Sequence, residues 1–514
     1  MPAAALPTSC EDVFAMARDE FEDLIRYLQS GGSRELTHSE LERSLKERGL
    51  ELMRMLYQAH VDGRGPGEAA GPVRGADGVE REQKRLHDRG LSTLFGEVRV
   101  RRLGYGAEGV DSLHPLDAEL NLPEEEYSLE LRRKAAEQAA MVSFDETVSH
   151  LGRETGKEVG KRQAEELVGR AAQDFDAFYA MRTPGPKAET GPLLVISADG
   201  KGVVMLPQDL REPTRKAAEK RTHKLEKRLS KGEKRHAKRM ATVAAVYTIA
   251  PHVRKPEDVV RTMAPKHEKE ETPRPRPEDK RVWASLEKTP EQVIEEAFRE
   301  GRRRDPKREK TWVALVDGNK PQLAILKRLA RRYKTRLTIV LDIMHVADYL
   351  WDASLAFHDE ASAGREEWVS RRLLAVLQGR ASHVAAGMRR SATLRQLSAE
   401  KREPVDDCAG YLLAYKSYIH YDRYLARGFP ISTGVIEGAC RHLVCDRMDG
   451  GARWSLQGAE AVLRLRALRC SGDFDEYWQY HESQEYQRNH VERYANNTVV
   501  PVQGRKRTAL RRIK

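Results

Sequence analysis

The chain has 514 residues, too many for one hydrophobic core, so two to four domains are expected. A net charge of +11 and a pI near 9.2 suit a protein that meets nucleic acid or an acidic surface, though ordinary solvation produces the same balance. Five cysteines (10, 408, 440, 445 and 470) argue against a disulfide framework and for a reducing cytoplasm. Residues 1–30 lack the basic start and apolar core of a signal peptide, and no apolar run reaches membrane-spanning length.

In chain order, residues 11–58 predict helices, with apolar positions at helical spacing from Glu11 to Leu28 and from Leu41 to Tyr57. Gly63 to Gly78 reads as a loop, and Phe95 to Tyr105 alternates with period two, which predicts a short strand or hairpin with a cationic face. Residues 128–178 are helical again. Ser143-Phe144-Asp145-Glu146 is a capping-box signature, Gly152 and Gly156 bracket a turn, and a second helix is expected from Val159 to Phe178. Helix, glycine turn, helix is the outline of a DNA-reading helix-turn-helix and equally of any αα-hairpin.

Pro184-Gly185-Pro186 marks a boundary, after which strands and helices alternate. Strands are predicted at Leu193–Ala198, Gly202–Leu206, Ala241–Ala250, Trp312–Val316 and Arg336–Leu341. Helices are predicted at Pro290–Arg304 and Pro321–Tyr333, from Val346 to about Arg427, and over Gly434–Cys470. The order fits an α/β domain with a mixed sheet flanked by helices. Arg211 to Arg239 is dominated by Lys and Arg, including Arg215, Lys216, Lys220, Arg221, Lys224, Lys227 and Arg228. That run is a solvated charged helix or a phosphate-neutralising surface, and its positive excess favours the second.

Two apolar strands end in Asp-Gly, at Asp199-Gly200 and Asp317-Gly318. One such pair is usually only a turn. Two of them, with Glu437 in Thr433-Gly434-Val435-Ile436-Glu437, make a candidate acid set. Carboxylates that meet at one point repel unless a cation lies between them, and Mg²⁺ accepts a few carboxylates together with phosphate oxygens. The small Gly200 and Gly318 would let a phosphate backbone approach, and Gly434 and Gly438 leave room beside Glu437. Asp342 ends the last strand and shares a helix start with His345, where the pair could cap, ligate metal or hold substrate; capping or support is the preferred reading. Cys440-x4-Cys445 with His442 has the wrong spacing for a zinc knuckle. Arg441 and Arg453 flank the glutamate motif as candidate DNA contacts. Trp454 could stack on a base, although a tryptophan more often packs in a core.

At these residues the chain resembles the DDE transposases of bacterial insertion sequences, closest to the ISKra-type family within the Mutator-related group. The resemblance rests on Ile196–Gly202, Val316-Asp317-Gly318, Leu341–Val346, Thr433–Gly438, Arg453-Trp454-Ser455 and Gly458-Ala459-Glu460, and covers about residues 190–470. It implies an RNase H-like, retroviral-integrase-like catalytic domain over 190–345 and 430–470, interrupted by a helical insertion at 346–429. The remainder divides into an N-terminal helical region (1–62), a loop and short β region (63–127), the helical segment 128–183 and a basic C-terminal tail (471–514). Asp199, Asp317 and Glu437 would be the catalytic acids and hold two Mg²⁺ ions, for which Mn²⁺ can substitute. Asp342 and His345 would match the auxiliary Asp/Cys-x2-His signature, although Asp342 also ends a strand and competes with Asp317 for the second place. The implied partners are double-stranded DNA, as transposon ends and as target, and a second copy of the chain to pair the ends. The implied setting is the bacterial cytoplasm. A DNA-binding protein on an inactive fold, and a nuclease that cuts without joining, are the alternatives.

Overall fold

The computed structural model describes residues 12–156, 158–182, 190–220, 237–263 and 274–503. The protein is mixed α/β and divides into two compact units, Met1–Phe178 with Asp475–Lys514, and Tyr179–Phe474. No described helix is long and apolar enough to cross a membrane.

The second unit is built on a five-stranded sheet. Its strands are β1 (Leu193–Val204), β2 (Lys238–Ile249), β3 (Glu278–Ser285), β4 (Thr311–Val316) and β5 (Leu337–Leu341), in the spatial order β5-β4-β1-β2-β3. β1, β2 and β3 form an antiparallel meander, whereas β4 and β5 join β1 in parallel. β4 is buried along Trp312–Val316, as a parallel strand covered on both faces should be. The helices Pro290–Arg304 and Lys320–Arg332 flank it in sequence as crossovers.

β1 is one continuous strand, not the two predicted at Leu193–Ala198 and Gly202–Leu206. Its 12 residues pair with all 12 of β2, so Asp199-Gly200 is extended backbone opposite Val243 and Thr242. A long antiparallel partner overrides the turn preference of Asp-Gly. The second pair does turn. Gly318 has φ +99°, Asp317 Oδ1 accepts the Asn319 N–H at 2.8 Å, and Asn319 caps the following helix ahead of Pro321. β3 and the helix Pro256–Met263 were not anticipated, because prolines and charges flank both and β3 carries the buried charge Arg281.

Gly301 shows how tightly the helix Pro290–Arg304 meets the sheet. A methyl group there would lie 2.4 Å from a ring carbon of Trp312 and 3.0 Å from Leu194 Cδ2. We expect Gly301→Ala to destabilise this unit by about 2–3 kcal/mol, read as a lower urea midpoint at constant slope.

After β5 come the helices Ile343–Ser354, Ala363–Leu377, Ala381–Leu394, Ala399–Ala414 and Tyr421–Ala426. The chain returns through the helix Gly434–Ala439, a π-helical turn at Cys440–Cys445 and the helix Leu456–Ser471.

The first unit holds the helices Ala15–Gln29 and His38–Gly63, and the hairpin Gln83–Thr93 with Gly96–Ala107, extended by Val110–Leu113. Three helices follow, Leu129–Ala139, Phe144–Thr155 and Lys161–Ala171, around Leu131, Leu151 and Leu167. The capping box at Ser143 and Glu146 forms as predicted. The expected single helix Val159–Phe178 is instead broken after Ala171 and resumes at Phe175. The stretch after 470, expected to be a basic tail, is folded in its described part. The helix Phe474–Asn489 carries fully buried His481 against Asp174 at 2.6 Å, and Tyr494 packs with Val73, Tyr105 and Leu113. Its apolar and aromatic residues supply the burial that a tail lacks, while 504–514 lie outside the described residues.

Candidate active site

The register of the sheet sets three aspartates in one row. β1 and β4 pair from Leu193 with Thr311 to Ser197 with Leu315, so two residues further on Asp199 stands level with Asp317. β5 and β4 pair up to Leu341 with Val316, so one residue further on Asp342 stands level with Asp317 as well. The Asp342 N–H continues the ladder to the Val316 carbonyl at 2.8 Å. Neighbouring strands are about 4.8 Å apart, and level residues of parallel strands share a face. The three acids therefore occupy adjacent places at the carboxyl ends of the parallel pairings.

Glu437 is tied into this row from both sides. Thr433, one helical turn before it, donates its hydroxyl to Glu437 Oε1 at 2.7 Å and its backbone N–H to Asp342 Oδ1 at 3.1 Å. Cys440, three residues after it, donates its thiol to Asp199 Oδ2 at 3.3 Å. Residues 433, 437 and 440 fall on one side of a helix. Glu437 thus sits between a contact to the first aspartate and a contact to the last. The π-helical turn that begins at Cys440 is a feature found often at functional sites.

The four acids are not equivalent. Asp342 is 0% exposed and fully engaged: Oδ1 with Thr433, and Oδ2 with the His345 N–H at 3.4 Å and His345 Nδ1 at 2.8 Å. It caps the helix Ile343–Ser354 and orients the imidazole, and its burial keeps it from meeting a ligand directly. Asp199 and Asp317 are half-buried and Glu437 is exposed. Between the two candidates for second acid, accessibility favours Asp317.

Burial pulls the His345 pKa down, but the Asp342 hydrogen bond and the charges of Asp342, Asp317 and Asp348 outweigh it and hold the ring above its usual value. Burial, with Asp199 adding, pushes the Cys440 thiol up, so it stays a protonated donor. Lys201 is held above the ordinary lysine value chiefly by Cys445, against partial burial, with Asp449 adding to the effect.

In kind, the donors fit a hard divalent cation: three carboxylates, of which none has an ion-pair partner among the described residues. In position they form no ready cage. Among the described residues no three His, Cys, Asp or Glu side chains stand together as a metal site. Asp199 Oδ1 accepts the Gly200 N–H at 2.6 Å, Asp317 Oδ1 accepts Asn319, and Glu437 accepts Thr433. To share one ion, the carboxylates would have to draw closer together, using the lone pairs that these local partners leave free.

Several residues find other roles. Gly318 gives no room to a phosphate, because the Tyr411 and Tyr415 hydroxyls approach it and donate to the carbonyls of Asp317 and Gly318. Beside Glu437 the space is open, with nothing within 4 Å of a methyl placed at Gly438. Trp454 is 6% exposed, lies under the Arg447 guanidinium at 4.7 Å and extends β1 by bridging Met205, so it cannot stack on a base without leaving the core. Glu460 is buried and latches the end of β3 through the Ser285 hydroxyl and the Leu286 N–H, each at 2.7 Å. Cys440 turns to Asp199 while His442 pairs with Asp446 at 2.9 Å, so the sulfur and imidazole considered for zinc take separate partners.

Of the cationic run, Arg215 and Lys216 pair with Glu219 and Glu212 on their own short helix, and Lys220 is exposed. Arg221, Lys224, Lys227 and Arg228 lie outside the described residues. Arg441 and Arg453 are exposed, the former 3.7 Å from Asp446. The part that Thr433 and Cys440 play as partners of the acids does not follow from the sequence reading of either residue; their spacing of minus four and plus three from Glu437 is the available signal. The tyrosines near Asp317 carried no local signal, since about 100 residues separate them from it. No family model matches the chain, and no curated protein matches it at a significant level.

Proposed function

We propose that the chain is a DNA transposase of the DDE type, cleaving the ends of its own element and joining them to target DNA. The reading rests above all on the row of Asp199, Asp317 and Asp342 with Glu437 tied between its ends. The strand order, a three-stranded meander extended by two parallel strands with acids at their carboxyl ends, is what an RNase H-like domain requires. The basic composition suits a polyanionic substrate.

In the first step a water oxygen attacks a phosphodiester at the element's end. The P–O3′ bond breaks and the 3′-oxygen leaves as a hydroxyl. In the second step that 3′-hydroxyl attacks a target phosphodiester, forming a new P–O3′ bond and expelling the target's 3′-oxygen. Asp199, Asp317 and Glu437 would hold two Mg²⁺ ions, or Mn²⁺ in their place, which when bound activate the attacking oxygen and offset charge on the leaving one. His345, with Nδ1 engaged by Asp342, keeps Nε2 to donate to a phosphate oxygen. Thr433 holds the Glu437 carboxylate toward the row, and Cys440 does the same for Asp199. Two ends must be held together, so the active complex contains at least two copies.

Thr433→Val removes the hydroxyl and keeps the backbone donor to Asp342. It is expected to raise the Mg²⁺ concentration for half-maximal cleavage by about tenfold, with Thr433→Ser close to wild type, as measured by Mg²⁺ titration. The direct test of the function incubates the protein with its element's ends, a target plasmid and Mg²⁺. Joined products are expected. Cut products alone would make it a nuclease, and neither product would leave a binding protein.

A further inference from the structure

A groove of about 570 Å³ lies at the open edge of the sheet, between the helix Lys320–Arg332 and the start of β5. Lys327, Arg331, Lys334 and Arg336 line it beside Leu337 and Ile339, and among the described residues no acidic one does. All four cations are exposed, and none has a carboxylate partner among the described residues. Their neighbours differ: Arg328 pairs with Glu291 at 2.7 Å and Arg332 with Glu295 at 3.1 Å. The groove therefore keeps four uncompensated positive charges while adjacent positions on the same helix are neutralised.

A ladder of tyrosines runs from the row of acids to this groove. Tyr349, one turn after His345, stacks on Tyr411 with ring centres 4.1 Å apart. Tyr411, whose hydroxyl reaches the Asp317 carbonyl at 3.1 Å, lies 4.8 Å from Tyr415, and Tyr415 lies 6.5 Å from Tyr418. The Lys327 ammonium stands 5.2 Å from the Tyr418 ring. Tyr349, Tyr411 and Tyr418 are only half-buried. The free edge of β5 is closed toward the acids, where the Tyr421 hydroxyl takes the Leu341 carbonyl, and opens toward the groove at Leu337. From Leu337 to Asp342 the strand covers roughly 16 Å, a distance that a few nucleotides span.

We propose that the tyrosine ladder and the cationic groove form a track for an unpaired polynucleotide strand running away from the row of acids. Phosphates lie along the four cations, and bases meet the half-buried rings. Aromatic faces joined to a positive groove are the means by which proteins hold single strands, whose bases are free to stack; a duplex keeps its bases inside. The inference deepens the transposase reading by assigning the conformation of the substrate strand beside the acids.

The test measures binding of the full chain in EDTA to a fluorescent 20-nucleotide oligothymidylate and to a duplex of equal length, by anisotropy at several KCl concentrations. The comparison is with the quadruple variant K327Q/R331Q/K334Q/R336Q, whose changes are confined to exposed side chains. For the single strand, the slope of log affinity against log salt should fall by about 2 to 3, since each phosphate contact contributes about 0.7. Duplex binding should change by less than about twofold. Tyr349→Leu should weaken single-strand binding by about tenfold and Tyr349→Phe should not. An unchanged slope, an equal loss on duplex and single strand, or equal effects of Leu and Phe at 349 would overturn the track. A protein that joins ends yet shows an unchanged slope loses the track alone. One that shows the slope change but yields no joined products loses the transposase reading alone.

Discussion

Asparagine at Asp199, or at Asp317, is expected to lower end cleavage and joining by at least about 10³-fold while leaving DNA affinity within about twofold. Asparagine matches aspartate in shape. At 199 it still accepts the Gly200 N–H, and at 317 the Asn319 N–H, so the local backbone has no reason to move. What it removes is the charge that a divalent ion would need. Asp342 cannot take over, because it is sealed behind the row with both oxygens occupied. Asp342→Asn should behave differently. It forfeits the charged partner of His345, so the imidazole titrates at a lower pH than in wild type, visible in the proton NMR shift of that ring. Equal, complete loss in all three variants without a change in the His345 titration would contradict the division of roles, and unimpaired joining in Asp199→Asn would remove the reaction centre altogether.

Glu300→Gln should destabilise the second unit by about 2–3 kcal/mol at pH 7. Glu300 is 8% exposed and receives Arg281 and Arg303 on one oxygen and Arg304 on the other, each at 2.7 Å. Arg281 is itself buried, with its guanidinium 3.5 Å from the Tyr179 ring centre and 4.4 Å from that of Trp283. Removing the one carboxylate takes the shared partner from three cations; Arg304 keeps Asp279 at 3.5 Å, whereas among the described residues buried Arg281 is left facing only aromatic rings and has little access to water. Burial alone would raise the Glu300 pKa, but Arg281, Arg304 and Arg303 outweigh it and bring it to about 2 from 4.5. The folded pKa is depressed, so this stabilisation is complete above the unfolded value of 4.5 and is lost as pH falls toward 2. The shift corresponds to about 3 kcal/mol as an upper bound. Urea unfolding followed from pH 6 to pH 2.5 should therefore show wild type and Glu300→Gln converging at the acid end. Parallel curves would mean that the carboxylate contributes shape and not charge.

Local signals carried much of this architecture. Capping residues stood where helices begin: Ser143 with Glu146, and Thr289 before the helix Pro290–Arg304. Apolar runs marked β1, β2, β4 and β5. Those runs failed where charge is buried. Arg281 and its flanking polar residues hid β3, since a strand whose guanidinium is paired with a distant glutamate looks like a solvated loop from its own neighbours. The Asp-Gly at 199–200 misled for a related reason, because its extended conformation is imposed by β2, about 45 residues downstream in sequence.

From sequence alone, the residue types of the candidate site were already determined: two aspartates after apolar strands, a third ahead of a helix, and a glutamate among glycines. Their chemistry follows from composition and needs no fold. Only the tertiary structure decided which acids are accessible. Whether Asp342 faces a ligand or lies sealed behind Thr433 and His345 depends on strand register and on a helix that returns some 90 residues later. The same long-range packing buried Trp454, seated Cys440 against Asp199 and left four cations at the edge of the sheet without a carboxylate partner among the described residues. Exposure and pairing are properties of distances between segments, and the local chain does not encode those distances.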